Sequence, residues 1–314
     1  MELIIISILF INIFFINPQK MEKNITINSY TKIIDIINNP IFENYGRYIF
    51  PIHRKISPSL TIADLDSIYT WYNYMNPKRT IEIINYFISQ IKKSNKIFYN
   101  IYTEKEKELD PTKNDTGLFF FRGNPGQKFA IINAGGAFTY VGAMHDSFPH
   151  ALEISKRGFN AFALIYRQGG ESACEDLARA ISFIIKNKNE FKVDINCYSL
   201  WGGSAGARMA AWLGQYGTKA FGGDDCPKAG TIIMQYTGLS EVHNDPPTYA
   251  NCGTEDWIAN YNAMNNRINK IKKAGTDAMM EIFKGLPHGF GLGEGTVAEG
   301  WIDNAINFWK KQMK

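Results

Sequence analysis

The stretch Gly202-Gly203-Ser204-Ala205-Gly206 sets one serine among small residues directly behind the apolar run Tyr198–Trp201. The G-x-S-x-G spacing suits a sharp strand-to-helix turn, because side chains at the outer glycines would collide with the adjoining strand or helix. Such a turn exposes the hydroxyl, which becomes a nucleophile once a base takes its proton. A plain helix N-cap would also accept serine, but capping does not call for two preceding glycines. Five histidines can be the base: His53, His145, His150, His243 and His288. His288 stands out in the loop GLPHGFG, behind the run MMEIF and ahead of a final helical stretch. A carboxylate that fixes the tautomer of the base completes the set. Asp256 in CGTEDWIAN follows the run TYANC, with Glu255 beside it and Asp245 before the run as alternatives on other loop paths. The chemistry of a serine, a histidine and a carboxylate in this combination is acyl transfer.

Acyl transfer also needs hydrogen-bond donors aimed at the developing oxyanion. The stretch NAGGAF, Asn133–Phe138, follows the run FAIIN and carries small residues whose amides can converge on one point. No Lys-Ser/Thr pair follows these glycines, which argues against a phosphate loop. His145 lies close to this loop and could touch substrate, against surface or capping roles for it, His150 and His243. Phe138, Tyr140 and Tyr236 stand near the ends of predicted strands, as substrate-binding walls or as core aromatics.

Elements in βαβα order must position these residues. Short apolar runs (FYNIY, GLFFF, FAIIN, AFALIY, YSLWG, TIIMQY, TYANC, MMEIF) alternate with helical stretches from about Ile97 onward. Several are apolar at consecutive positions, as in strands covered on both faces. That pattern predicts a mostly parallel central sheet with helices on both faces and a site beyond the strands' carboxyl ends. Ser172-x-x-Glu175 and Thr296-x-x-Glu299 read as capping boxes, and a helix is predicted to open at Ala205. Before Ile97 the chain is polar and rich in Asn, Ile and Tyr. An amphipathic helix is predicted near Arg79–Lys93, with Ile81, Ile84, Phe87 and Ile91 on one face.

Bulk properties exclude several classes. With 314 residues and 45% apolar content the chain buries a full core. The formal charge of +4 comes from scattered lysines rather than one basic stripe, so no nucleic acid is implied. Four cysteines lack C-x-x-C spacing and read as buried thiols, with Cys226–Cys252 a candidate disulfide if the chain is exported. The segment Leu3–Asn17 is apolar enough for a signal core or a peripheral membrane anchor, yet Glu2 replaces the usual positive charge and no A-x-A site follows. Export or anchoring therefore stands beside a cytoplasmic protein starting at Met21.

The elbow around Ser204, the NAGGAF loop and the late His288 together resemble the α/β-hydrolase superfamily, in its esterase and lipase branch with an HGGG-type loop. The match departs at Ala134, where that motif has histidine, and at Ala137, where its last glycine would be. YRQGGE, Tyr166–Glu171, resembles the Tyr-Arg turn of the same branch, followed by Glu175 and Asp176. These read as structural ion pairs, with Glu175 and Arg179 at i,i+4 spacing. The resemblance implies the α/β-hydrolase fold over 97–314 and does not cover the first hundred residues, where 1–20 reads as a signal-like or anchoring segment and 21–96 as an extension that could form a lid. It implies Ser204, Asp256 and His288 as catalytic residues in that chain order. It also implies the amides of Gly136, Ala137 and Ala205 as the oxyanion hole, with no metal or organic cofactor. The expected activity is hydrolysis of short acyl esters, acetyl groups on carbohydrate among them. The alternatives are a serine peptidase of the same fold and a non-catalytic binding protein on the scaffold.

Overall fold

The computed structural model describes residues 26–43 and 45–313. The apolar Leu3–Asn17 segment lies outside the described residues. Each predicted run falls on a strand: β1 (Phe98–Tyr99), β2 (Gly117–Phe121), β3 (Lys128–Asn133), β4 (Asn160–Ile165), β5 (Asp194–Gly203), β6 (Thr231–Gln235), β7 (Thr248–Gly253) and β8 (Ala278–Phe283). They form one sheet in the order β1-β2-β4-β3-β5-β6-β7-β8. β2 pairs antiparallel with both β1 and β4, and the other five pairings are parallel, in register such as Asn133↔Gly202 and Gly203↔Gln235. Helix Ala205–Tyr216 lies on β5 and β6, while Phe148–Lys156 lies on β2, β3 and β4. Every residue of β2, β4, β6 and β7 is buried, which accounts for their unbroken apolar runs.

The connections create the site's location. The chain leaves β3 outward to β4 and returns past β3 to β5, so the loops after β3 and β5 diverge and open a crevice at their carboxyl ends. NAGGAF follows β3, and Ser204 follows β5.

The described residues before 97 form the short helix Ile33–Ile37, turns of 3-10 helix and then helix Pro77–Lys92. The helix begins with Asn76 capping the Lys78 amide and Pro77 at its first position. Its buried stripe is Ile83, Ile84, Phe87 and Ile88, with Ile81 and Ile91 at the half-buried margins. Phe87 packs on Phe119, Phe121 and Phe148 with ring centroids 5.3 to 5.5 Å away. The buried side chains of this extension and of the sheet form one continuous core.

Three local expectations change, and the cysteines keep the default reading of free thiols. Helix Gly170–Lys186 starts two residues before Ser172, behind Gly169 at the N-cap with φ +92°, so Ser172 and Glu175 lie inside it. Thr296 and Glu299 bond within a turn, to the amides of Ala298 and Gly295, and the last helix starts only at Trp301. Glu175 pairs with Arg167 at 2.8 Å instead of Arg179, which reaches Glu106 at 3.0 Å. All four cysteines are free: Cys226 points to Ser182, whereas Cys252 points to Asp256.

Candidate active site

Ser204 sits at the turn between β5 and helix Ala205–Tyr216 with φ +51° and ψ −115°, a conformation costing a non-glycine residue on the order of 1–3 kcal/mol. Its neighbours permit the turn. A Cβ on Gly202 would overlap the Gly206 carbonyl, and one on Gly206 would overlap the Asn133 carbonyl. The Ser204 amide donates to the Gln235 carbonyl at 3.0 Å, tying the turn to the end of β6.

The loops after β7 and β8 meet this serine. His288 Nε2 lies 3.0 Å from Ser204 Oγ, and His288 Nδ1 lies 2.8 Å from Asp256 Oδ2. Asp256 Oδ1 accepts the amides of Ile258 at 2.9 Å and Ala259 at 2.7 Å, which aims the other oxygen at the imidazole. The Cys252 thiol donates to Oδ2 at 3.6 Å. Asp256 and His288 are buried, so the line from carboxylate to imidazole is shielded from water. The other two acids lie away from the imidazole: Asp245 pairs with the buried Arg267 and Gln215, and Glu255 is exposed.

Gly136 and Ala137 line the same pocket as Ser204 and His288. Their φ values are +127° and +54°, and a Cβ on Gly136 would overlap the Tyr140 carbonyl. Ala205 opens its helix, where amides have no carbonyl partner within the helix. The pocket holds about 300 Å³ and its remaining walls are Trp71, Tyr72, Trp257 and Ile258. Trp257 is 79% exposed at the rim.

The three aromatic candidates lie elsewhere. Tyr140 is buried, donates to the Thr70 carbonyl at 2.5 Å and stacks on Trp71. Tyr236 is buried with its hydroxyl on Asp146 and its ring 5.0 Å from that of His288. Phe138 is half-buried and stacks on Trp212. They brace the surroundings of the pocket rather than line it.

Nor are the other histidines on the surface as a group. His145 is buried with Nε2 2.9 Å from the Gly289 carbonyl, and His150 is buried with Nε2 2.8 Å from Gln235 Oε1. Burial lowers His145 from 6.5 to about 4 and His150 to about 3, so both imidazoles are neutral at pH 7. His243 is exposed, as its surface reading had it, with its amide on Asp245. His53 lies 3.9 Å from Asp115.

Sequence reasoning missed Trp71, Tyr72 and Asp146. The first two come from the extension, and Asn73 beside them hooks the His288 loop, its amide on the Gly289 carbonyl at 3.0 Å and its Nδ2 on the His288 carbonyl at 2.7 Å. No spacing rule links residues so far apart in the chain. Tyr166 of the Tyr-Arg turn donates to the Ala134 carbonyl at 2.5 Å, and Arg167 pairs with the buried Asp176.

Residues 124–236 match the family model described as BD-FAE. No curated protein matches the sequence. Among solved structures, the chain is similar to an acetyl ester-xyloside bifunctional hydrolase from Caldicellulosiruptor lactoaceticus, with 18% identity and TM-score 0.59, covering 68% of this chain and 95% of that one. A thermophilic esterase from Thermogutta terrifontis, determined with propionate bound, aligns with 19% identity and TM-score 0.55 over 62% of this chain and 89% of its own. A sugar hydrolase from Lactococcus lactis aligns with 19% identity and TM-score 0.53 over 63% and 94%. Among the described residues, no helix is long and apolar enough to cross a membrane. The strand order, the helices on the sheet and these neighbours give one conclusion: the chain has the α/β-hydrolase fold.

Proposed function

We propose that the protein is a serine hydrolase of carboxylic esters, acting on short acyl esters and in particular on acetyl groups carried by carbohydrate. The observation that carries this reading is the hydrogen-bonded file Asp256–His288–Ser204 ending in an open pocket beside Gly136 and Ala137. His288 Nε2 takes the proton as Ser204 Oγ attacks the ester carbonyl, and Asp256 stabilises the imidazolium through Nδ1. The amides of Gly136, Ala137 and Ala205 stabilise the tetrahedral oxyanion. His288 then protonates the leaving alcohol, and a water activated by the same base releases the acid. The chain's own residues suffice for each step.

The pocket supports a small acyl group, because its walls are apolar and its volume of about 300 Å³ is modest. The esterase and sugar hydrolase among its structural neighbours favour an acylated carbohydrate as the partner. The test is fluorophosphonate labelling of wild type and Ser204→Ala, followed by a p-nitrophenyl ester series from acetate to laurate, acetylated xylan and an aminoacyl-nitroanilide. Labelling that depends on Ser204, with acetate the fastest ester, is the expected result. Faster cleavage of laurate would overturn the chain-length assignment, and faster cleavage of the anilide would make the protein a peptidase. Folded wild type that neither labels nor turns over would be a binding protein.

A further inference from the structure

Asp146 is fully buried yet touches four parts of the candidate site. Its Oδ2 accepts the Gly135 amide at 2.7 Å, one residue before Gly136 of the oxyanion loop. The same oxygen accepts the Tyr72 hydroxyl at 3.2 Å, and Tyr72 is a wall of the pocket from the extension. Its Oδ1 accepts the hydroxyl of Tyr236, whose ring rests against His288. The carboxyl also fills the space beside Gly203, where a Cβ would lie 2.5 Å from Oδ1. This explains the second glycine ahead of Ser204: Gly202 is needed for the turn itself, and Gly203 makes room for the Asp146 carboxyl.

We propose that Asp146 is the positioning residue of the oxyanion loop, clamping Gly135 to the nucleophile turn and to the extension so that the amides of Gly136 and Ala137 meet the developing oxyanion. The inference rests on the ester-hydrolase reading above. An ionised carboxylate only accepts, so one group can hold three donors from three distant segments. A neutral amide in its place turns one oxygen into a donor that faces another donor, and the clamp opens on that side. Burial raises the carboxyl to about 6, and the bonds from Tyr236, Gly135 and Tyr72 pull back toward the ionised form. The group does not face substrate, so its loss acts on transition-state geometry. Misplacing a catalytic group by about 1 Å costs on the order of 100-fold.

The experiment compares wild type, Asp146→Asn and Tyr236→Phe by Tm, by kcat and KM on p-nitrophenyl acetate, and by affinity for phenylboronic acid, which forms a tetrahedral adduct on the serine. The expected result for folded Asp146→Asn is kcat lower by about 10- to 100-fold, KM within threefold, and boronate affinity weakened in parallel with kcat. Tyr236→Phe keeps the ring against His288 and removes one donor, so it should lower kcat and boronate affinity by a smaller factor in the same parallel way. If Asp146→Asn does not fold, Tyr236→Phe alone decides. Folded variants with kcat and boronate affinity within twofold of wild type, or with a change confined to KM, overturn the assignment. Wild type that shows neither turnover nor boronate binding overturns the ester-hydrolase reading itself, and this inference falls with it.

Discussion

His145 Nε2 lies 2.9 Å from the carbonyl oxygen of Gly289, the residue that follows His288. A carbonyl only accepts, so the imidazole must carry its proton on Nε2. A buried neutral histidine therefore holds the loop that presents the proposed base. Removing it by His145→Ala should lower kcat about 10-fold or more through a misplaced His288. His145→Gln, which can still donate, should recover much of the loss. Equal defects in both variants would show that the hydrogen bond is irrelevant.

Acidification below about pH 6.5 should destabilise the fold through its buried histidines. The unfolded chain protonates His145 and His150 below about 6.5, whereas the native chain does so only near 4 and near 3. The unfolded state then binds more protons, so stability falls as pH drops from 6.5 toward 4. Asp146 opposes this. Its carboxyl is raised from 3.8 to about 6, so it contributes stability at low pH that is lost as pH rises through 6. Asp176, also raised by burial, acts with Asp146, while the two imidazoles are joined by carboxylates held low, such as Glu153 at about 2, and the balance is a net decline on acidification. Melting temperature should fall from pH 7 to 4, with a shallower slope in His150→Gln, and a flat profile in wild type would contradict the argument.

Substitutions in the triad separate chemistry from folding. Ser204→Ala and His288→Ala should each lower turnover by roughly 10⁴-fold or more with Tm little changed, and Asp256→Asn somewhat less. Steady-state kinetics on purified folded variants read this directly. Near-wild-type activity in any of them removes that residue from the mechanism.

Gly206→Ala should fail for a steric reason. Its Cβ would occupy the space of the Asn133 carbonyl at the end of β3, and overpacking of this kind costs about 1–3 kcal/mol or more. Chemical denaturation should show that loss, while alanine at the open Gly275 should show mainly the strain of its φ of +87°.

The thiols should divide into two classes. Burial, with a contribution from Asp176, pushes the Cys174 thiol up to about 12, and burial beside Asp256 raises Cys252 further. Cys197 and Cys226 are half-buried. A disulfide reagent such as DTNB should modify the latter pair in the native protein and the former only in denaturant. Fewer than four thiols in reductant-free denaturant would reveal a disulfide that the structure lacks.

Much of the framework was legible because it is local. The eight apolar runs mark the strands, and in β2, β4, β6 and β7 burial on both faces leaves no room for polar alternation. Ser204 was legible from the glycines that its turn demands, and His288 and Asp256 from the loops that follow strands. Tyr72 and Asp146 were not, because their roles arise from contact between segments far apart in the chain, and nothing local distinguishes a clamp from a core aspartate. For Phe138, Tyr140 and Tyr236 their place near strand ends left pocket wall and core aromatic both open, and only tertiary packing makes them supports of the pocket. The Ser172 and Thr296 motifs show the limit of a local rule: a glycine with positive φ, Gly169 or Gly300, starts each of those helices instead.

The hook from Asn73 to the His288 loop also sets a schedule. Contacts at 73 and 288 span 215 positions, and the loop they fix carries the base. The β-sheet can assemble from neighbouring strands, but loops of such separation close late because their ordering entropy is repaid only by contacts made at the end. Catalytic competence should thus be the last property a refolding chain acquires, trailing the recovery of helix and sheet and arriving only when its early and late segments dock together.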